Sequence, residues 1–217
     1  MEKKDQKRIE HISLRRKQQL IDATIKCLNT YGYAQATTRN ISKIAGVSKG
    51  VLQHHFSGKE DLLVTSMKYL IKEILQSVRD ILKEGDSALE NSRKIILALL
   101  KPSSLEYGEF KAWMVFWTES MSNKELERYL NIYNRRILSN LTHELARVFD
   151  RETAQYLAQI FFSLANGLWI EMCTSGKEEY TKHLNKAEKL FDELTQLYLL
   201  RNLLNKEQTQ EQTKQGN

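Results

Sequence analysis

Apolar positions along this chain recur every three to four residues almost throughout, the spacing of helices with one buried face. Leu20, Ile21, Thr24, Ile25 and Leu28 form one such face and predict a helix from Ser13 to Tyr31, ended by Gly32. Ile41, Ile44 and Ala45 follow at helical spacing behind the N-cap candidates Thr37 and Thr38, and Gly46 stops the run. Ser48 then caps a second short helix with Val51, Leu52, His55 and Phe56 inward and Lys49, Gly50, Gln53 and His54 outward. Ser57 and Glu60 have capping-box spacing and open a longer helix ending near Glu84, with Met67, Leu70, Ile71, Ile74, Leu75, Val78 and Leu82 as its stripe.

Beyond the break at Gly85, a helix is predicted from Ala88 to Leu100, stopped by Pro102 and a polar segment reaching Gly108. Phe110 to Met121 follows, a helix dense in aromatics in which Trp113, Phe116 and Trp117 share one face. Ser122 and Glu125 again have capping-box spacing and launch a helix ending near Phe149, with Leu126, Tyr129, Leu130, Tyr133, Ile137 and Leu141 on its stripe. Two further helices are expected, Arg151 to Thr174 and Lys177 to Asn205, separated by Ser175 and Gly176. The alternation that marks strands is absent, so the chain reads as all-α. It divides into a basic flexible arm (1–12), a three-helix helix-turn-helix domain (13–60), a C-terminal helical domain (61–205), for which the family resemblance given below implies ligand binding and dimerisation, and a polar, disordered tail (206–217).

Composition adds a direction to this pattern. The 217 residues are 41% hydrophobic, enough for a core, and a single Pro and nine Gly suit helices. Net charge is +6, and it is lopsided: residues 1–60 hold 12 Lys and Arg against 5 Asp and Glu, while residues 61–217 hold 21 against 22. A basic head on a near-neutral body suits a phosphate-binding protein. No apolar run approaches the roughly 20 residues of a membrane span, and MEKKDQKRIEH lacks the apolar region of a signal peptide. A cytoplasmic protein is expected. Cys27 and Cys173 are far apart in sequence and are expected to be reduced, packed thiols. Adjacent His54 and His55 point about 100° apart on a helix and make poor partners for one ion. No metal, cofactor or catalytic constellation is expected, and the chain is not read as an enzyme.

The two short helices separated by Gly46 form a DNA-binding helix-turn-helix, one face anchored in a small core and the other carrying hydrogen-bond donors. Ser48, Lys49, Gly50, Gln53 and His54 are the recognition-helix candidates, with Thr38 and Arg39 from the preceding helix. Gly50 costs a helix interior roughly 1 kcal/mol relative to Ala, so its presence points either to a close backbone approach or to tolerance near a helix end. Lys59 lies in a helical first turn, against the helix dipole. It is either a solvated surface lysine or a phosphate clamp, and beside a helix-turn-helix the clamp is expected.

The motif IxxxAGVSxGxLxxHFxxKEDLL, from Ile41 to Leu63, resembles the DNA-binding domain of the TetR family of bacterial transcriptional repressors, over about Arg15 to Tyr69. The chain departs from the family pattern at Ser42, Gln53 and His54. KAWMVFWTESM (Lys111 to Met121), YNRRILSNL (Tyr133 to Leu141) and GLWIEMCTSGK (Gly167 to Lys177) resemble the bodies of the choline-responsive, BetI-type repressors of betaine synthesis. Asn166 and Glu171 depart from that pattern. The resemblance implies a homodimer on a palindromic double-stranded DNA operator, with two recognition helices about 34 to 36 Å apart. It also implies that a small effector controls DNA affinity and that the helix opened by Ser57 carries its signal.

A quaternary ammonium such as choline donates no N–H hydrogen bond but is attracted to aromatic faces, by roughly 0.5 to 2 kcal/mol each. Trp113, Trp117 and Trp169 are the candidate walls, Phe116 is a further one, and Glu119 or Glu171 is the candidate counter-charge. The competing reading makes these aromatics ordinary core and the glutamates ordinary surface. A rival function of another class is a DNA-anchored interaction protein whose body binds a protein rather than a metabolite.

Overall fold

The computed structural model describes residues 2–100, 110–174 and 177–215. Among them the backbone forms nine helices and no strand: α1 (Glu2–Gln35), α2 (Thr38–Ala45), α3 (Lys49–His55), α4 (Lys59–Glu84), α5 (Ala88–Leu100), α6 (Phe110–Ser120), α7 (Lys124–Leu145), α8 (Arg151–Thr174) and α9 (Lys177–Gln215). The expected stops at Pro102 to Gly108 and at Ser175 and Gly176 lie outside the described residues.

Both chain ends differ from expectation. Helix begins at Glu2, where a flexible arm was expected over 1–12, and α9 runs to Gln215, through most of the tail expected to be disordered. Lys, Glu and Gln are good helix formers, and neither segment contains Pro or Gly before Gly216. A helix already nucleated by packed residues therefore extends at little cost per residue.

The chain gathers into two compact units, and their limits are not those expected at residues 60 and 61. One unit comprises Met1–Ile74 and Ser104–Tyr133, the other Leu75–Ser103 and Asn134–Asn217. The change of unit falls inside α4 and again inside α7, and α6, which packs against α1, falls in the first unit.

In the first unit α1 is the central element. Its Leu20, Ile25 and Leu28 are buried, as are Ile41 of α2, Leu52 of α3, Phe56, and Leu62 and Met67 of α4. The expected end of α1 at Gly32 is a sharp kink, with φ 74 and ψ −178, after which one more turn reaches Gln35. That backbone conformation is essentially confined to glycine. In the second unit α5, α8 and α9 pack on one another, with the Phe161 and Phe191 rings 4.6 Å apart. Among the described residues, its deeply buried carboxylate is Glu144, which accepts from Asn91 Nδ2 at 2.9 Å and from the Arg147 guanidinium at 2.8 Å. A buried charge needs such partners to offset its desolvation.

Beyond its chain neighbours and the adjoining helix backbone, nothing lies within 4 Å of where a Cβ on Gly32 would sit, so the cost of a side chain there is backbone strain. Gly32→Ala is expected to destabilise the protein by about 1 to 3 kcal/mol, read by urea unfolding. An unchanged midpoint would show that the kink is not held by the fold.

Candidate nucleic-acid interface and effector helix

Three caps hold the helix-turn-helix. Thr37, the first of the two expected candidates, caps α2 by accepting from Asn40 N–H at 3.2 Å. At the other end Gly46 takes the left-handed conformation, φ 63, and Val47 N–H returns to Ser42 O at 3.0 Å. Gln19 of α1 donates its side-chain amide to Ala45 O, so the turn is fastened to the long helix as well as to itself. Ser48 caps α3, accepting from Val51 N–H at 3.3 Å.

These caps set the outward face of α3. Leu52 and Phe56 are buried, Val51 and His55 half-buried, and Ser48, Lys49, Gly50, Gln53 and His54 exposed. Arg39 is exposed on α2, and Thr38 is half-buried at its first residue. Around Gly50 the only neighbour of an added Cβ would be Ser48 Oγ, at 3.7 Å, an ordinary contact. Nothing inside the protein therefore requires a glycine there. His55 is pushed below its usual pKa by burial, reinforced by the nearby charges of His54 and Lys17.

Lys59 is turned inward rather than into solvent. Its ammonium donates to Tyr33 O at 2.7 Å and stands 3.5 Å from the centroid of the Tyr33 ring. Partial burial lowers its pKa, against the attraction of Glu119. The expected Ser57–Glu60 box is not formed: Ser57 N–H donates to Asp61 at 3.0 Å, and Glu60 accepts from Asn123 at 2.7 Å. α4 starts at Lys59, two residues after Ser57, which brings Asp61 rather than Glu60 back to the Ser57 amide. Likewise Asn123, not Ser122, caps α7, accepting from Glu125 and Leu126 N–H at 3.0 and 3.1 Å.

The aromatic helix α6 belongs to this same unit. Asn29 of α1 accepts from Ala112 N–H at 2.7 Å, acting as an N-terminal cap supplied from 83 residues away. Trp113 and Phe116 are buried edge to face with centroids 6.5 Å apart, and Trp113 lies 5.4 Å from Tyr133 of α7. Burial holds the Tyr133 phenol far above its usual pKa, so it remains a neutral donor. Trp117 is half-buried. Glu119 is half-buried, and its carboxylate pushes the pKa of the Tyr33 phenol up. In the second unit Trp169 is buried on α8, and exposed Glu171 faces His183 at 3.4 Å and Lys186 at 3.5 Å. Tyr33, Asn29 and Tyr133 were not among the expected site residues. Tyr133 was legible only as an apolar stripe position, and nothing in the local pattern marks the other two.

Residues 20–65 match the family described as bacterial regulatory proteins, tetR family, and residues 88–194 match the BetI-type transcriptional repressor C-terminal family. The HTH-type transcriptional regulator BetI of Yersinia pestis (strain Pestoides F) is 35% identical over 177 residues, covering 81% of this chain and 87% of that protein. The chain belongs to the TetR family, in its BetI-type branch. BetI of Klebsiella pneumoniae (strain 342) is 34% identical over 165 residues, 75% of this chain and 84% of that protein. Among solved structures, a transcriptional regulator from Rhodococcus sp. Rha1 shares the fold with a TM-score of 0.72 at 20% identity, covering 81% of this chain and 92% of that one. A putative regulator from Saccharomonospora viridis, solved in complex with choline, has a TM-score of 0.66 at 20% identity over 78% of this chain and 93% of that one. The BetI-type family is one of transcriptional regulators, not enzymes, and among the described residues no helix is long and apolar enough to cross a membrane.

Two measurements follow from the α3 geometry. Gly50→Ala is expected to keep or raise stability, by up to about 1 kcal/mol, while weakening DNA binding at least severalfold through the lost close approach. Unchanged DNA affinity in the anisotropy of a labelled duplex would refute that approach. Because His55 has a folded pKa below its unfolded one, the unfolded chain binds more protons as pH falls below about 6.5. Stability is therefore expected to fall from pH 7 toward pH 5, and His55→Gln to remove part of that fall in thermal melts.

Proposed function

We propose that this BetI-type repressor acts in the cytoplasm as a homodimer on a palindromic operator, and that a choline-like quaternary ammonium effector lowers its DNA affinity. Its role is control of choline or betaine metabolism. The observation that carries the effector reading is the placement of α6: the aromatic helix is built into the unit that holds the recognition helix. A ligand against Trp113, Phe116 or Trp117 thereby acts on the DNA-binding unit directly. The choline complex of the Saccharomonospora viridis regulator supports the class of ligand.

Lys49, Gln53 and His54 supply base and phosphate contacts from α3, with Thr38, Arg39 and Ser48 beside them and Gly50 admitting the backbone of the duplex. Lys59 reaches a phosphate on leaving Tyr33. For the dimer, α9 presents Leu197, Leu200, Leu203 and Leu204 to solvent, each 58 to 60% exposed, next to Tyr156 of α8. Spacings of three and four residues put Leu197, Leu200 and Leu204 on one face, suited to a helical bundle with a second copy.

The test is fluorescence anisotropy of duplexes tiling the DNA beside this protein's own gene, at fixed salt, with and without choline. Specific binding weakened at least tenfold by choline is expected. Trp117→Ala should blunt the response, and Trp169→Ala and Glu171→Gln probe the candidates of the second unit separately. Specific binding that choline leaves unchanged would remove the effector from this reading.

A further inference from the structure

We propose that the exposed basic face of α1, formed by Arg8, Arg15 and Arg16, is a second phosphate-binding surface for duplex DNA, continuous with the recognition helix. This rests on the reading of α3 as the element that meets the duplex.

α1 is helical from Glu2, so these charges sit on a stiff spine rather than on an arm. At 100° per residue, Arg8, Ile12, Arg15 and Gln19 succeed one another at intervals of four, three and four, and Arg16 lies beside them on the same face. Arg8, Ile12, Arg15 and Arg16 are all exposed. A surface groove of about 750 Å³ runs past Ile12, Arg15, Arg16, Gln18, Gln19 and Asp22. Among the described side chains of α1 the carboxylates are Glu10, which stands on the opposite face, and Asp22, which accepts from Gln18 at 2.8 Å. The face is therefore net positive, and Arg8 extends it about 12 Å beyond Arg16 along the helix.

Direct bonds tie this face to the helix-turn-helix. The Arg16 guanidinium donates to Gln19 Oε1 at 2.8 Å, and the amide of the same Gln19 donates to Ala45 O at the end of α2. Lys17 places its ammonium 5.8 Å from the ring centroid of Phe56, the residue that follows α3. The start of α1 thus meets the chain on both sides of the recognition helix, and all of these elements lie in one compact unit. A guanidinium has five N–H donors, of which Gln19 takes one from Arg16. The others are left for a phosphate, and a fork already held in place loses less freedom on binding it. The partner that fits a line of cations is a polyanion with regularly spaced charges. α3 brings one to this unit, since duplex DNA carries a phosphate at every base step. Contacts of this kind fix the register of the duplex and add affinity to every sequence, without reading bases.

The experiment uses the full chain on a labelled random-sequence duplex across a potassium chloride series. It compares the parent with the triple variant Arg8→Gln, Arg15→Gln, Arg16→Gln, and with a control triple, Lys72→Gln, Arg79→Gln, Lys83→Gln, that removes the same charge from α4. Gln is a good helix former, so α1 keeps its helix in the test variant. The α1 triple is expected to flatten the log–log salt slope by about 2 to 3, near 0.9 for each lost phosphate contact, and to weaken binding at least about tenfold at low salt. Replacing the same three arginines by Lys should restore most of the slope, which a loss caused by misfolding would not allow. Equal slopes in the α1 and α4 triples overturn the proposal, because the effect is then one of net charge. The control slope together with a lower mass in sedimentation also overturns it, and gives the face to a second copy of the chain. If the parent itself shows no salt-dependent binding to duplex DNA, the reading of α3 fails and this inference with it.

Discussion

The seating of α6 on α1 is the constraint on which the DNA-binding unit depends. A helix starts with backbone N–H groups that have no partner within it. Here one of them, on Ala112, is satisfied by the Asn29 side chain of a helix that precedes it by 83 residues. Just past the far end of α6, Asn123 donates to Glu60 of α4 at 2.7 Å. The helix richest in aromatics is therefore fixed to the helices that carry and orient α3.

That arrangement places the aromatic helix in the same compact unit as the recognition helix. Coupling needs an element whose position differs between states and which both sites bias. α6 carries Trp113, Phe116 and Trp117 on one face, and its start is held by Asn29 of α1. Polar contacts of the kind seen here are individually modest, about 0.5 to 1.5 kcal/mol for a typical hydrogen bond. That is the range in which a bound effector can rearrange them without unfolding the unit.

The local features of the head were legible because they depend on neighbours in sequence. Thr37, Gly46 and Ser48 cap α2 and α3 through bonds spanning three to five residues, and such spacings are visible in the chain itself. The inward set of α1, from Leu20 to Leu28, is buried as its period predicts. Two differences at helix starts are of one kind. Ser57 pairs with Asp61 instead of Glu60, and Asn123 replaces Ser122, because one or two residues of shift at a helix start exchange neighbouring candidates. At the chain ends polar composition suggested disorder, yet good helix formers carried α1 and α9 onward.

By itself, then, the sequence determined an all-α chain with a basic helix-turn-helix head, the residues that face outward on α3, and the family to which the chain belongs. Periodicity, capping and charge asymmetry are local or additive properties, and each is carried by residue order alone. Only the tertiary structure decided that α6 belongs to the head, that Asn29 caps it, and that Lys59 rests on Tyr33. These are contacts between residues 26 to 83 positions apart. No local rule specifies which distant side chain fills such a place, because the choice is made by how whole helices pack.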